Sequence, residues 1–158
     1  MKIIRKSVFE TNSSSTHSLI YGNQENSNYL APNSKLVISF IDTDDEKYLT
    51  TLKEKVSYLV SQIVNKYKDG AATYEDLISD VEEDYDYKRI KDYVKEHFNK
   101  DLTFPPTYRG DVSYIVNINH QLQWWGSLDE LLQDLCRYNH DYLDDVLAST
   151  NSIEIGHD

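Results

Sequence analysis

The chain reads as an α+β fold, with a small, mostly antiparallel sheet and helices packed on one side. Three observations lead there. β-Branched and aromatic runs lie toward both ends of the chain. Helical periodicity is concentrated between residues 43 and 99 and again between 127 and 147. The elements also lack the regular strand–helix–strand alternation that builds a doubly wound parallel sheet.

Residues 2–10 (KIIRKSVFE) and 18–21 (SLIY) read as strands around a polar turn. Residues 22–34 form a loop, and 35–41 (KLVISFI) a third strand. Thr43 and Glu46 have capping-box spacing. Leu49, Leu52, Val56, Leu59, Ile63 and Tyr67 then make one apolar stripe, which Gly70 stops. Thr73 and Asp76 open a second helix carrying Leu77 and Val81. A third runs from about Tyr87 to Phe98, with Ile90 and Val94 on one face. Pro105 and Pro106 break the chain. Residues 113–118 (SYIVNI) alternate like a strand. Ser127 and Glu130 have capping-box spacing before a helix that bears Leu128, Leu131, Leu132 and Leu135. That helix continues through Tyr142 and Val146 with a kink near Asn139. Residues 152–155 (SIEI) close the chain as a short strand.

The 158 residues fit one domain, 1–158, with no repeat and no linker. Apolar residues are 39% of the chain and charged residues 27%, so a core is affordable. Thirteen tyrosines help build it, since each buries a ring while keeping a polar tip. The single cysteine, Cys136, cannot form an internal disulfide and sits in a helical stretch, which suits a reducing compartment. Neither a signal peptide nor a membrane span is evident, so the expected location is the cytoplasm. The net charge of −11 argues against a nonspecific grip on nucleic acid, which needs cations to displace phosphate counterions. It fits either simple solubility or an acidic surface that imitates nucleic acid.

The run Thr11 to Ser18 (TNSSSTHS) packs six hydroxyls, an amide and an imidazole into eight residues. Its short side chains leave backbone N–H groups open to an anion. Hydroxyls can donate to phosphate oxygens, and His17 can carry a proton near neutral pH. The competing reading is a turn whose hydroxyls cap their own backbone. Asn119 and His120 follow the expected strand 113–118, and strand ends commonly line sites. No Gly-rich phosphate loop is present, and no cofactor is implied. His17, His120, His140 and His157 lack the spacing of a helical metal pair, so no metal site is expected. The acidic run Glu75, Asp76, Asp80, Glu82, Glu83, Asp84 and Asp86 reads as a solvated face.

The stretch Arg5 to Leu19 (RKSVFETNSSSTHSL) closely resembles the opening of a group of uncharacterised bacteriophage and prophage proteins. Looser similarities lie at Leu52–Leu59, at Ile118–Gln121 (INHQ) and at Ser149–Asp158 (STNSIEIGHD). Asn119 stands where that group usually has aspartate. The resemblance implies a phage or mobile-element origin and leaves the activity open.

Two functions are expected from these features. In the first, the polar motifs converge if their strands are neighbours. Asn12, Ser13, Ser14, Ser15, Asn119, Asn151 and Asp158 then bind a phosphorylated or nucleotide-like small molecule, with His17 and His120 as proton carriers. The turn at Ser13–His17 should in that case lie near His120, facing solvent or a cleft. In the second, the protein is an acidic anti-defence inhibitor that binds a host protein through carboxylates on helices 73–99 and 127–147. Direct nucleic-acid binding and membrane binding are not expected in either.

Overall fold

A computed structural model describes residues 4–9, 15–21, 33–41, 47–116, 128–136, 143–148 and 151–157. The class is α+β. Strands β1 (Ile4–Phe9), β2 (Ser15–Tyr21), β4 (Lys47–Leu49) and β6 (Ser152–His157) form an antiparallel sheet in the order β1-β2-β6-β4. Helices cover one face of it. Leu49, Ile153 and Ile155 are buried, whereas Tyr48, on the alternate register position, is 60% exposed and donates its hydroxyl to Glu154. A second, two-stranded sheet pairs β3 (Ser34–Val37) with β5 (Lys100–Thr103) in parallel. The sequence reading contained no strand at 100–103. Four residues between a helix and a Pro-Pro pair carry too little pattern to stand out, and β5 exists because β3 supplies its partner.

Helix α1 (Leu52–Tyr67) runs through the centre. Its start corrects the expected one. The same Thr-x-x-Glu spacing occurs at Thr43–Glu46 and at Thr51–Glu54, and the second is the one that caps α1. Thr51 Oγ1 accepts from the Glu54 amide at 3.1 Å, and Glu54 Oε2 accepts from the Thr51 amide at 3.2 Å. Leu49 belongs to β4 instead, held by its pairing opposite Ile153. Thr43 and Glu46 lie outside the described residues.

Burial of α1 is also wider than one stripe, since every residue from Lys55 to Val64 is buried. The hydroxyls this encloses are used. After the ladder ends at Val37, the amides of Ser39 and Ile41 donate to Ser57 Oγ at 3.0 Å and Ser61 Oγ at 2.9 Å. These bonds splice the chain after β3 onto the central helix.

Helix α2 (Tyr74–Glu83) starts at Thr73, whose hydroxyl accepts from the Asp76 amide at 3.1 Å. Leu77 and Val81 are fully buried, as their spacing requires. Helix α3 (Tyr85–Phe98) buries Ile90 and Val94 and ends on Asn99 in the left-handed region at φ 53°. Gly70 closes a short 3₁₀ turn (Lys68–Gly70) after α1.

The expected strand at 113–118 does not form over its described part. Val112–Tyr114 is a 3₁₀ turn capped by Asp111, which accepts from the Ser113 amide at 2.9 Å and its hydroxyl at 2.8 Å. Side-chain capping gave this backbone a local alternative to the ladder. Apolar alternation was a poor guide here, because Ile115 and Val116 are both buried while Tyr114 is 79% exposed. Helix α4 spans Leu128–Cys136 and packs on β1 and β2. Asp144–Ala148 is a π-helical turn against α1, tied to α3 by the hydroxyl of Tyr93 donating to Asp144, and the expected continuation of α4 with a kink near Asn139 lies outside the described residues.

Candidate functional site

The polar segment near the N-terminus enters the sheet as the first residues of β2. Ser15 stands opposite His157, Thr16 opposite Gly156 and His17 opposite Ile155 in the antiparallel register. The start of β2 and the end of β6 are therefore neighbours. Asn151 is not part of this juxtaposition. It precedes Ser152, which pairs with Ile20 at the opposite end of β2. At about 3.3 Å per residue, the length of a strand separates Asn151 from Ser15. Asn12, Ser13, Ser14, Asn119, His120 and Asp158 lie outside the described residues, as does any approach of His120 to the Ser13–His17 turn.

Asn151 has a structural role instead. It is buried, and its carbonyl accepts from Lys55 Nζ at 2.9 Å. Lys55 is itself 1% exposed, and burial pushes its ammonium down to about 8. Sequence reasoning missed this residue. The signal was present, since Lys55 falls one position before Val56 and three after Leu52, inside the apolar stripe.

The acidic run divides into two groups with different jobs. Asp84 and Asp86 are 7% and 8% exposed, so they are not part of a solvated face. Asp84 caps α3, accepting from the Asp86 and Tyr87 amides at 2.8 and 3.1 Å. It also accepts from the Tyr67 hydroxyl at 2.6 Å and from Lys66 Nζ at 3.3 Å. Burial pushes its carboxyl up, but the bonds from Tyr67, the Tyr87 amide and Lys66 outweigh that and hold it below the usual range. Asp86 Oδ2 accepts from the Leu128 amide at 2.9 Å, so a carboxylate on α3 satisfies the start of α4. Arg89 bridges Asp86 at 3.3 Å and Asp129 at 3.1 Å across the same junction.

The remaining carboxylates do face water. Glu75, Asp76, Asp80, Glu82 and Glu83 are all exposed on α2, which contains no lysine or arginine. Helix α3 differs: Lys88, Arg89, Lys91 and Lys95 balance its acids. The acidic surface expected over 73–99 therefore narrows to α2.

A cleft of about 440 Å³ borders that helix. Tyr74 and Ile78 form one wall, Leu102, Phe104, Pro105 and Pro106 the other, and Glu75 and Glu82 line it as well. Its aromatic wall is fixed from behind. Phe104 stacks on Tyr87 at 5.4 Å between centroids, and Phe40 meets Tyr74 edge-on at 6.4 Å. The Tyr74 hydroxyl donates to the Pro105 carbonyl at 2.6 Å, and burial pushes that phenol up to about 12. Such a cleft can seat an apolar side chain while its carboxylates hold a cation.

No group of three or more histidine, cysteine, aspartate or glutamate side chains suited to a metal lies together among the described residues. None of their helices is long and apolar enough to cross a membrane. Comparison of the chain with protein-family models, curated proteins and solved structures gave no significant match.

Proposed function

We propose that this chain is an acidic accessory protein that binds a basic groove on a partner protein through α2 and the cleft beside it. One observation carries the reading: α2 shows five exposed carboxylates, no cation, and an adjoining apolar cleft. Exposed acids steer a basic partner and set register, while seating an apolar side chain supplies the holding energy. The phage resemblance of residues 5–19 makes a host nucleic-acid enzyme or another defence protein the target class. In this role the acids of α2 stand in for a short row of phosphates. The full chain should retain such a protein from host extract at low salt. A chain carrying Glu75→Gln, Asp76→Asn, Asp80→Asn, Glu82→Gln and Glu83→Gln should lose it, and added salt should release it. Equal retention by both chains would sink the proposal.

A second reading has its own observation. The register that sets Ser15 beside His157 and Thr16 beside Gly156 supports a small phosphorylated or nucleotide-like ligand at that sheet end. Here Ser13–Ser15 hold the anion and His17 orients or protonates it, without Asn151. Thermal shift against nucleotides tests this reading, since a saturating ligand stabilises the fold by mass action.

A further inference from the structure

A second groove, of about 380 Å³, opens where β3 and β5 meet the first turn of α1. Lys35 comes from β3, Lys53 from α1 and Lys100 from β5. All three line it together with Thr51 and the apolar side chains of Leu36 and Leu52. The parallel pairing of β3 with β5 brings Lys35 and Lys100 together from distant parts of the chain, and the first turn of α1 adds Lys53.

Among the described residues their charge is uncompensated. Lys66, Lys88 and Lys95 each pair with a carboxylate, but Lys35, Lys53 and Lys100 form no ion pair with the described residues. The neighbouring acids are committed elsewhere. Asp101, opposite Lys35 in register, pairs with Lys95 at 3.1 Å. Glu54 accepts from the Thr50 and Thr51 amides at 2.8 and 3.2 Å. Lys100 spends one donor on Ser34 Oγ at 2.9 Å, and an ammonium has others to offer. In a chain of net charge −11, three cations around one concavity with no carboxylate partner among the described residues favour an anion. The site also sits at the start of a sixteen-residue helix, whose first N–H groups add positive potential.

We propose that this groove binds a phosphoryl group, carried by a small monoester or as free phosphate. A dianionic phosphoryl group offers oxygens to all three ammoniums. The apolar wall at Leu36 and Leu52 has room for an organic substituent. The proposal goes beyond the partner-binding reading and depends neither on α2 nor on the serine-rich segment.

Amide chemical shifts of the full chain test it, with adenosine monophosphate, inorganic phosphate and adenosine titrated at constant ionic strength. The expected result is saturable shifts at Lys35–Val37, Thr51–Lys53 and Lys100 with both phosphates and none with adenosine. Tighter binding of the nucleotide assigns the ester, and equal binding assigns the free ion. Lys53→Gln with Lys100→Gln should weaken binding at least about tenfold, the loss of one charge-assisted contact or more. Lys91→Gln, on α3 and outside the groove, should leave binding unchanged. Lys53 is exposed and Lys100 half-buried, and neither belongs to the core, so the double variant should fold. Shifts that never saturate, shifts centred on residues 15–21 and 152–157, or full binding by the double variant would each overturn the assignment.

Discussion

Lys55 shows how one residue can carry a pH dependence of the whole fold. Its ammonium is enclosed and held to the Asn151 carbonyl. Burial lowers its affinity for the proton from the ordinary 10.5 to about 8. Between those values the unfolded chain binds more protons than the folded one, so this group's contribution to stability rises with pH. Below pH 8 both states are protonated and the cost of the buried charge is constant. Relative to Lys55→Met, the native chain should therefore gain about 2 kcal/mol between pH 7 and pH 10. Urea unfolding of both chains at the two pH values measures this, and the tyrosines common to both cancel in the difference. A constant difference would mean that Lys55 stays charged without penalty.

At the scale of elements, the junction of α1, α3 and α4 depends on two aspartates. Asp84 caps α3 and ties it to Tyr67 and Lys66 at the end of α1, while Asp86 caps α4. Asp84→Ala loses a helix cap and strands the Tyr67 hydroxyl. The expected cost is about 2–4 kcal/mol in chemical denaturation. The folded carboxyl of Asp84 lies below its ordinary value of 3.8, so its contribution is complete above that pH and fades as pH falls through the folded value. The variant should lose less stability than the native chain on acidification from pH 5 to pH 2. The helices themselves were legible: Thr73 at a start and Leu77, Val81, Ile90 and Val94 at core positions follow from spacing alone. The two aspartates were not, because a buried cap and a solvated carboxylate are the same letter in an acidic run.

For the whole molecule, charge works in two opposite directions. A net charge of −11 repels itself in the compact state, and salt screens that repulsion. Raising salt from roughly 0.01 to 0.3 M should raise the melting temperature, while weakening attachment of a basic partner to α2. Differential scanning calorimetry checks the first and a salt series of binding checks the second. A fold that loses stability with added salt would show that its ion pairs, such as Arg89 with Asp86 and Asp129, outweigh the repulsion.

The sequence by itself determined the class of the fold, the positions of α2 and α3, the hairpin-like order of β1 and β2, and the excess of acid. Each of these rests on short-range pattern, where period and capping chemistry act within a few residues. Only the tertiary structure decided which of two identical capping boxes starts α1, which aspartates are buried, that 112–114 turns instead of extending, and that β5 exists at all. It also decided that Asn151 sits a strand's length from Ser15, and that Lys35, Lys53 and Lys100 share one groove. Register and burial depend on partners tens of residues away, and no local pattern encodes a residue's partner.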